Sequence, residues 1–498
     1  MKLILKSSFF SCALLLLVAW ASAQVTFNQE MNYKNGWEGS RAVTQTKSGY
    51  LLVYNSLQLT NGYGTLNIVQ IDSNGSNVSE NVIRVNPDYE FLADGIKEIN
   101  DTTYIIMGSL AKNNPIQVSS FILAINEVGD SLWFQTYDLG HGSEGFEQGI
   151  VTNDGNLLHV GAAVVDSFVS YPNPTNDTLQ VALVKTDLLG NEIWRKVYPN
   201  AHHWEVGRSF VELDNDDIMV LVSTFVGNFK KTMLWRLAPN GIVKWQRLLS
   251  SGTWDAPLDL ILGTDGFLYL TGYTSQNVLA TGNGFVIKAD TAANVIWKRQ
   301  YGVSGKEDFL EKIRLLPDGN IITAGSGWRN SPFVTHLDAM LIKINASNGD
   351  TIWQKFYNSD GVYENMEQDY FWALDVCDDG GFIMSGMTGK PAPTHQNAWV
   401  VKVDSNGHVD YTTDINDVAN TQAVLVYPNP TNGLVNFKGL PKGLKNAKVY
   451  SLLGKEVLNQ KIDNSINLNK LATGIYLVVV SDKNGTSLLS EKVQVISN

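Results

Sequence analysis

One unit recurs along most of this chain, and its period limits the possible folds more than any other feature. The copy from Glu307 to Tyr357 shows the parts: an acidic residue, an apolar strand with Ile313 and Leu315, an Asp318-Gly319 turn, and a second strand from Ile321 to Ala324. A loop leads to a third strand, Ala339 to Ile344, then an Asn348-Gly349 turn and a fourth strand carrying Trp353 and Tyr357. Four short strands parted by tight turns make one antiparallel sheet. Such a sheet repeated at a fixed interval is a propeller blade. Turn anchors at Gly49, Asp101, Gly155, Asp216, Gly266, Gly319 and Gly380 give seven copies, 50 to 61 residues apart. The expected fold is all-β, a seven-bladed β-propeller.

Tryptophan recurs in the fourth strand, at Trp133, Trp194, Trp245, Trp297 and Trp353, four positions after a turn glycine or, once, after Ala293. Ser79 and Tyr411 hold that place in the first and last copies. A large indole present once per sheet fits the seam between neighbouring blades. In this respect the region from Gly36 to Tyr411 resembles the quinoprotein-like repeat propellers. The quinone-binding members use an adjacent cysteine pair. This chain has only Cys12 and Cys377, so a propeller without a quinone or other cofactor is expected. Two segments compete to close the ring, Val25 to Tyr33 and Val409 to Thr413.

Each copy opens on an acid: Glu38, Glu90, Glu144, Glu205, Asp255, Glu307 and Glu367, eleven to thirteen residues before the turn anchor. Seven carboxylates would ring one mouth of the channel, where like charges raise each other's pKa values or recruit cations. The structural alternative is that each accepts hydrogen bonds that hold the ring together. The loops between second and third strands are long and variable, and they emerge on the same face as these acids. Function favours such loops, so this face is the expected binding surface, with Trp204, Trp254 and Trp328 beside the carboxylates as stacking platforms suited to sugar rings. His202-His203 lacks a third spaced metal ligand. Acidic turns such as Asp72-Ser73-Asn74-Gly75 read as hairpins rather than calcium loops, so no metal is expected. No nucleophile elbow, phosphate loop or zinc-protease helix occurs.

The two ends of the chain read differently from the middle. Lys2 and Lys6 precede an apolar run, Phe9 to Trp20, that stops at Ala21-Ser22-Ala23, the pattern of a cleaved export signal over residues 1–23. No membrane span is expected in the mature chain. Its charge would be −14, divided into −19 before Val424 and +5 after it. An acidic body disfavours nucleic acid. Residues 24–413 form the expected propeller, 414–423 a polar linker, and 424–498 a small β-sandwich of immunoglobulin-like type.

That last segment holds Tyr427-Pro428-Asn429-Pro430 with Gly433 close behind, Val449 to Val457 around Gly454, Leu471-Ala472-Thr473-Gly474-Ile475-Tyr476, and a terminal Lys492-Val493. Together these residues resemble a type A C-terminal sorting domain of the type IX secretion system. The resemblance implies the secretion machinery as partner, export through the periplasm, and release or attachment at the outer-membrane surface. The expected function is a non-catalytic binding or adhesion module for an extracellular ligand such as a carbohydrate. The alternative is a carbohydrate-active hydrolase or lyase using the channel-mouth carboxylates.

Overall fold

The structure, a computed structural model, describes residues 24–31, 37–57, 64–83, 89–113, 116–139, 145–164, 179–199, 204–249, 254–275, 282–303, 305–328, 337–359, 368–389, 396–409, 425–438, 440, 445–451, 455–481 and 487–496. The expected export signal, linker, Glu144, Glu367 and Gly454 lie outside them. The described residues are mainly strands joined by turns, and the chain divides into two compact units, Met1–Tyr411 and Thr412–Asn498.

Among the described residues the first unit holds seven four-stranded antiparallel sheets that resemble propeller blades. Their first strands are Trp37–Gln45, Tyr89–Asn100, Gly145–Val151, Glu205–Glu212, Trp254–Leu262, Phe309–Leu315 and Gln368–Val376, which define sheets one to seven. Each first strand contacts the first strand of the next sheet, and that of sheet seven contacts that of sheet one. The fourth strand of sheet seven is Phe27–Met31 from the other end of the chain, paired with Gln396–Val403 in the register Phe27 to Lys402 and Met31 to Ala398. Of the two competing segments, the N-terminal one therefore completes the last sheet.

Indoles and phenols of one sheet grip the turn of the next. A methyl group on Gly190 would lie 2.7 Å from the Trp133 ring, and methyl groups on Gly241, Gly349 and Gly407 would lie 3.2, 3.0 and 3.0 Å from Trp194, Trp297 and Trp353. These glycines turn with positive φ, which a side chain disfavours. Four residues beyond each indole, Tyr137, Tyr198, Tyr301 and Tyr357 donate hydrogen bonds of 2.7 to 2.8 Å to the carbonyls of the same glycines. At the closing seam Phe27 takes the indole's place over Gly75. The third-strand cations Lys185, Arg236, Lys288, Lys343 and Lys402 reach back to Asp154, Asp217, Asp265, Asp318 and Asp379 of their own sheets' first hairpins.

The inner strands are also tied laterally. Gln148 accepts from the Phe210 amide, the Ser209 hydroxyl from the Leu260 amide, and Asp259 from the Ile313 amide, so sheets three to six are linked through one layer. Second and third strands are almost wholly buried and rich in branched aliphatics, as expected of strands packed on both faces.

The second unit has two antiparallel sheets. One joins Leu425–Tyr427, Leu434–Lys438 and Ser465–Asn467; the other orders Glu456–Ile462, Lys445–Ser451, Gly474–Ser481 and Ser487–Val495. Val435, Phe437 and Ile466 from the first meet Val449, Val478, Val480 and Val493 from the second in one core.

Candidate functional site

Each first strand in the larger unit carries a bulge, one extra residue that breaks the pairing register. The extra residues are Arg41, Asp94, Glu147, Arg208, Leu258, Glu311 and Trp372. From this layer to the first hairpins runs a cavity of about 600 Å³. Arg41, Asp94 and Glu147 line it at the bulge layer, Gly95, Gln148 and Lys312 one residue on, and Asp375 and Asp378 towards its mouth. It lies on the side of the first hairpins, away from the first-strand ends that carry Glu38, Glu205 and Asp255.

Electrostatics in this throat depend on neighbours in several sheets. Arg208 holds Glu147 at 2.7 Å and Arg314 holds Asp259 at 2.8 Å. Among the described residues Asp94 has one ion-pair partner, the Arg41 guanidinium 4.0 Å away. Burial raises the Asp94 carboxyl to about 7, and Glu147 pushes the same way, while Arg41, Lys312 and Arg208 oppose them. Burial likewise raises Glu311, against Arg41, Lys312 and Arg208. The Arg41 guanidinium also lies over the Trp372 ring, 4.8 Å from its centroid.

The residues expected at the long-loop mouth divide into several environments. Glu38, Glu205 and Asp255 are buried, and each is held within its own sheet. Ser56 donates to Glu38 and Thr224 to Glu205, both at 3.3 Å, and Lys298 pairs with Asp255 at 2.8 Å. Glu307 is exposed; the buried acid of sheet six is Asp308, which accepts amides from Val303 and Trp328 and is raised by burial to about 6. Asp369, fully buried, takes the equivalent place in sheet seven. Both stand eleven residues before their turn glycines, so the true spacing is the shorter one. In sheet two a second irregularity, between Glu98 and Asn100, moves the register by one; Phe91 is buried in the acid's place and Glu90 faces elsewhere.

Trp204 and Trp254 sandwich Phe225 edge to face, with centroids 5.2 and 5.3 Å away, and Lys230 lies over Trp204. Trp328 carries Lys306 over its ring at 4.0 Å. Glu38 and Glu90 do meet, with Trp37 and Trp372, around a smaller cleft of about 220 Å³. Among the described residues no three His, Cys, Asp or Glu side chains are grouped to hold a metal ion, and no helix is long and apolar enough to cross a membrane.

Sequence reasoning passed over the bulge residues because they do not recur as a type. Their signal was positional: three residues after the buried acid, in sheets one, four, five, six and seven.

In the second unit, the Asn429 amide donates to the Lys492 carbonyl at 2.7 Å and its oxygen accepts from the Gln494 amide at 2.9 Å. Thr431 bonds the same strand through its backbone, and Gly433 turns at a φ of 149° against Asn469. Tyr476 donates to the Ala472 carbonyl two residues before Gly474. The separate landmarks of the tail thus form one structure: Tyr427, Pro428, Asn429 and Pro430 are exposed beside exposed Lys492.

No protein of curated function matches this sequence. Similar solved structures include a protein of unknown function from Dyadobacter fermentans, 10% identical with a TM-score of 0.43 over 76% of this chain and 98% of that one. The β-propeller domain of the Trilobed protease from Pyrococcus furiosus is 11% identical, with a TM-score of 0.39 over 80% and 99%. Puromycin hydrolase is 11% identical, with a TM-score of 0.45 over 91% of this chain and 62% of the hydrolase. Residues 425–495 match the family described as the secretion system C-terminal sorting domain. The C-terminal unit is a type IX secretion sorting domain, and the chain that carries it is exported through that system to the cell surface or extracellular space.

Proposed function

We propose that this protein is an extracellular binding module: a seven-bladed β-propeller that captures a small polar ligand in its channel, delivered by an immunoglobulin-like sorting domain. The supporting observation is the cavity of about 600 Å³, bounded by charged side chains from six sheets. That volume falls within the usual range of ligand sites. The buried acids of the long-loop side serve the fold in this reading, because their hydrogen bonds are made to strands of their own sheets.

One observation favours a catalytic alternative. A carboxyl raised to about 7 at Asp94, near the ion-paired Glu147, is the combination of acid and carboxylate that glycoside hydrolysis uses. A binding and depolymerisation screen of the full chain against glycans, polysaccharides and small polar solutes separates the two. Gly95→Leu fills the cavity where a new Cβ meets nothing closer than 3.8 Å. Binding without product, lost in Gly95→Leu, supports the module; product formation abolished by Asp94→Asn establishes the enzyme. Binding unaffected by Gly95→Leu moves the site away from the channel.

A further inference from the structure

Apart from the throat, the smaller cleft of about 220 Å³ is lined by sheets one, two and seven. Most aromatics near the first-strand ends already have partners. Trp204 and Trp254 close on Phe225, Trp328 carries Lys306, and Trp372 lies under Arg41 and stacks with Tyr370 at 6.0 Å. Trp37, at the cleft, differs. It is the one exposed tryptophan among the described residues, with 51% of its surface open.

Beside this indole stand a hydrogen-bond acceptor and a donor. In sheet two Phe91 takes the buried acid's place, which leaves Glu90 at the cleft. The Glu90 stem rests on Gly64 of sheet one, where an added Cβ would lie 2.6 Å from its Cγ, so a bare backbone there makes room for the side chain. Among the described residues the Glu90 carboxylate takes no hydrogen bond or ion pair, and burial alone raises it. The Asn55 side-chain oxygen accepts the Ala93 amide at 3.1 Å, while its amide nitrogen donates to no described residue. The other charged side chains of the lining are engaged: Glu38 accepts from Ser56, and Arg41 faces Asp94 and Trp372.

We propose that this cleft is a second ligand site, separate from the channel, and that it binds one neutral sugar ring, stacked on Trp37 and hydrogen-bonded to Glu90 and Asn55. A hydroxyl both donates and accepts, so neighbouring hydroxyls answer the carboxylate and the amide together. The C–H face of the ring suits an open indole. An anion would meet Glu38 and Glu90, and a cation would find the Trp372 face already covered by Arg41. The volume is below the range of about 300–1,000 Å³ that drug-sized ligands fill, so the cleft takes a single ring rather than a length of polysaccharide.

Saturation-transfer NMR and calorimetric titration of the full chain test it, with the methyl glycosides of glucose, galactose, mannose and N-acetylglucosamine as probes and tetramethylammonium beside them. At least one glycoside should bind at about millimolar concentration or below. Trp37→Ala should weaken it at least about tenfold and Trp37→Phe less, since a smaller ring still stacks. Glu90→Gln should weaken it about tenfold for the loss of a charge-assisted bond. Trp37 is exposed, so unchanged melting temperatures should show these variants folded. Gly95→Leu, which fills the throat, should leave this binding intact, so a sugar in the cleft and a ligand in the channel are told apart by which variant abolishes each. Three results overturn the proposal: no glycoside binds, binding survives Trp37→Ala, or binding is lost in Gly95→Leu. Tetramethylammonium bound as tightly as any glycoside, and lost in Trp37→Ala, overturns it in favour of a cation cage.

Discussion

Between sheets the same contact is made again and again, whereas in the throat each sheet contributes something different. Trp133, Trp194, Trp297 and Trp353 each cover the next sheet's turn glycine. The bulge layer reads Arg41, Asp94, Glu147, Arg208, Leu258, Glu311 and Trp372. A residue that recurs in every copy serves what all copies share, and that is the seam. A position that varies around the ring while its backbone geometry stays constant is available to a ligand. The repeating acids belong with the seams in this respect, since Glu38, Glu205 and Asp308 are bonded by their own sheets.

The comparison can be broken most severely at Trp297, the most buried of the repeated indoles. Trp297→Ala should cost about 3–5 kcal/mol in urea unfolding, and Asp94→Asn in the throat less than about 0.5 kcal/mol. Equal losses would make the throat part of the scaffold. The next effect contrasts two glycines of the channel wall. A Cβ on Gly149 would come 2.4 Å from the buried His159 ring, and one on Gly95 meets nothing closer than 3.8 Å. Gly149→Ala should therefore destabilise by about 1–3 kcal/mol, and Gly95→Ala should be neutral or stabilise by up to about 1 kcal/mol.

Acid sharpens the contrast between buried groups. Burial lowers His159 from the ordinary imidazole value of about 6.5 to about 3, so the unfolded chain binds the extra proton and stability falls as pH drops below that ordinary value. Asp308 has the opposite sign: its raised value, about 6, means that the folded chain binds the extra proton, and its contribution is lost as pH rises through that value. His159→Leu should flatten the acid loss measured by thermal unfolding, by about 1 kcal/mol per pH unit, and Asp308→Asn should steepen it. The smallest expected effect is Tyr137→Phe, about 1 kcal/mol for the lost hydrogen bond to the Gly190 carbonyl, read from the denaturation midpoint.

The seams were legible in the sequence because each depends on a residue type at a fixed offset. Turn glycines, indoles four residues later and the count of copies follow from spacing alone, as does Val25 to Tyr33 as one of two candidate closing segments. The throat was not legible. A bulge adds a residue to the backbone without any side-chain signature, so Asp94 and Glu147 look like ordinary strand polars. One-residue errors at Glu307 and Glu90 have a related cause: the acid's place is set by its distance from the bulge, and it is Asp308 and Phe91 that stand three residues before Glu311 and Asp94. The third-strand lysines were hidden for another reason. Lys185, Lys288, Lys343 and Lys402 sit among aliphatics where a charge is unexpected, until hairpin aspartates from the same sheet are seen to neutralise them.

The short strand Phe27–Met31 has a consequence in time. Six of the sheets can form from neighbouring stretches of chain, each within some fifty residues, so most contacts in the ring are local by the standard of contact order. The seventh must wait until Gln396–Val403 exists and then recruit a strand from the opposite end. Closing so long a loop carries an entropy cost that grows only slowly with length, but it makes that strand the last to dock and the first to leave. Hydrogen exchange should therefore find the amides of Phe27–Met31 among the earliest in the ring to open, well before those of the second strands.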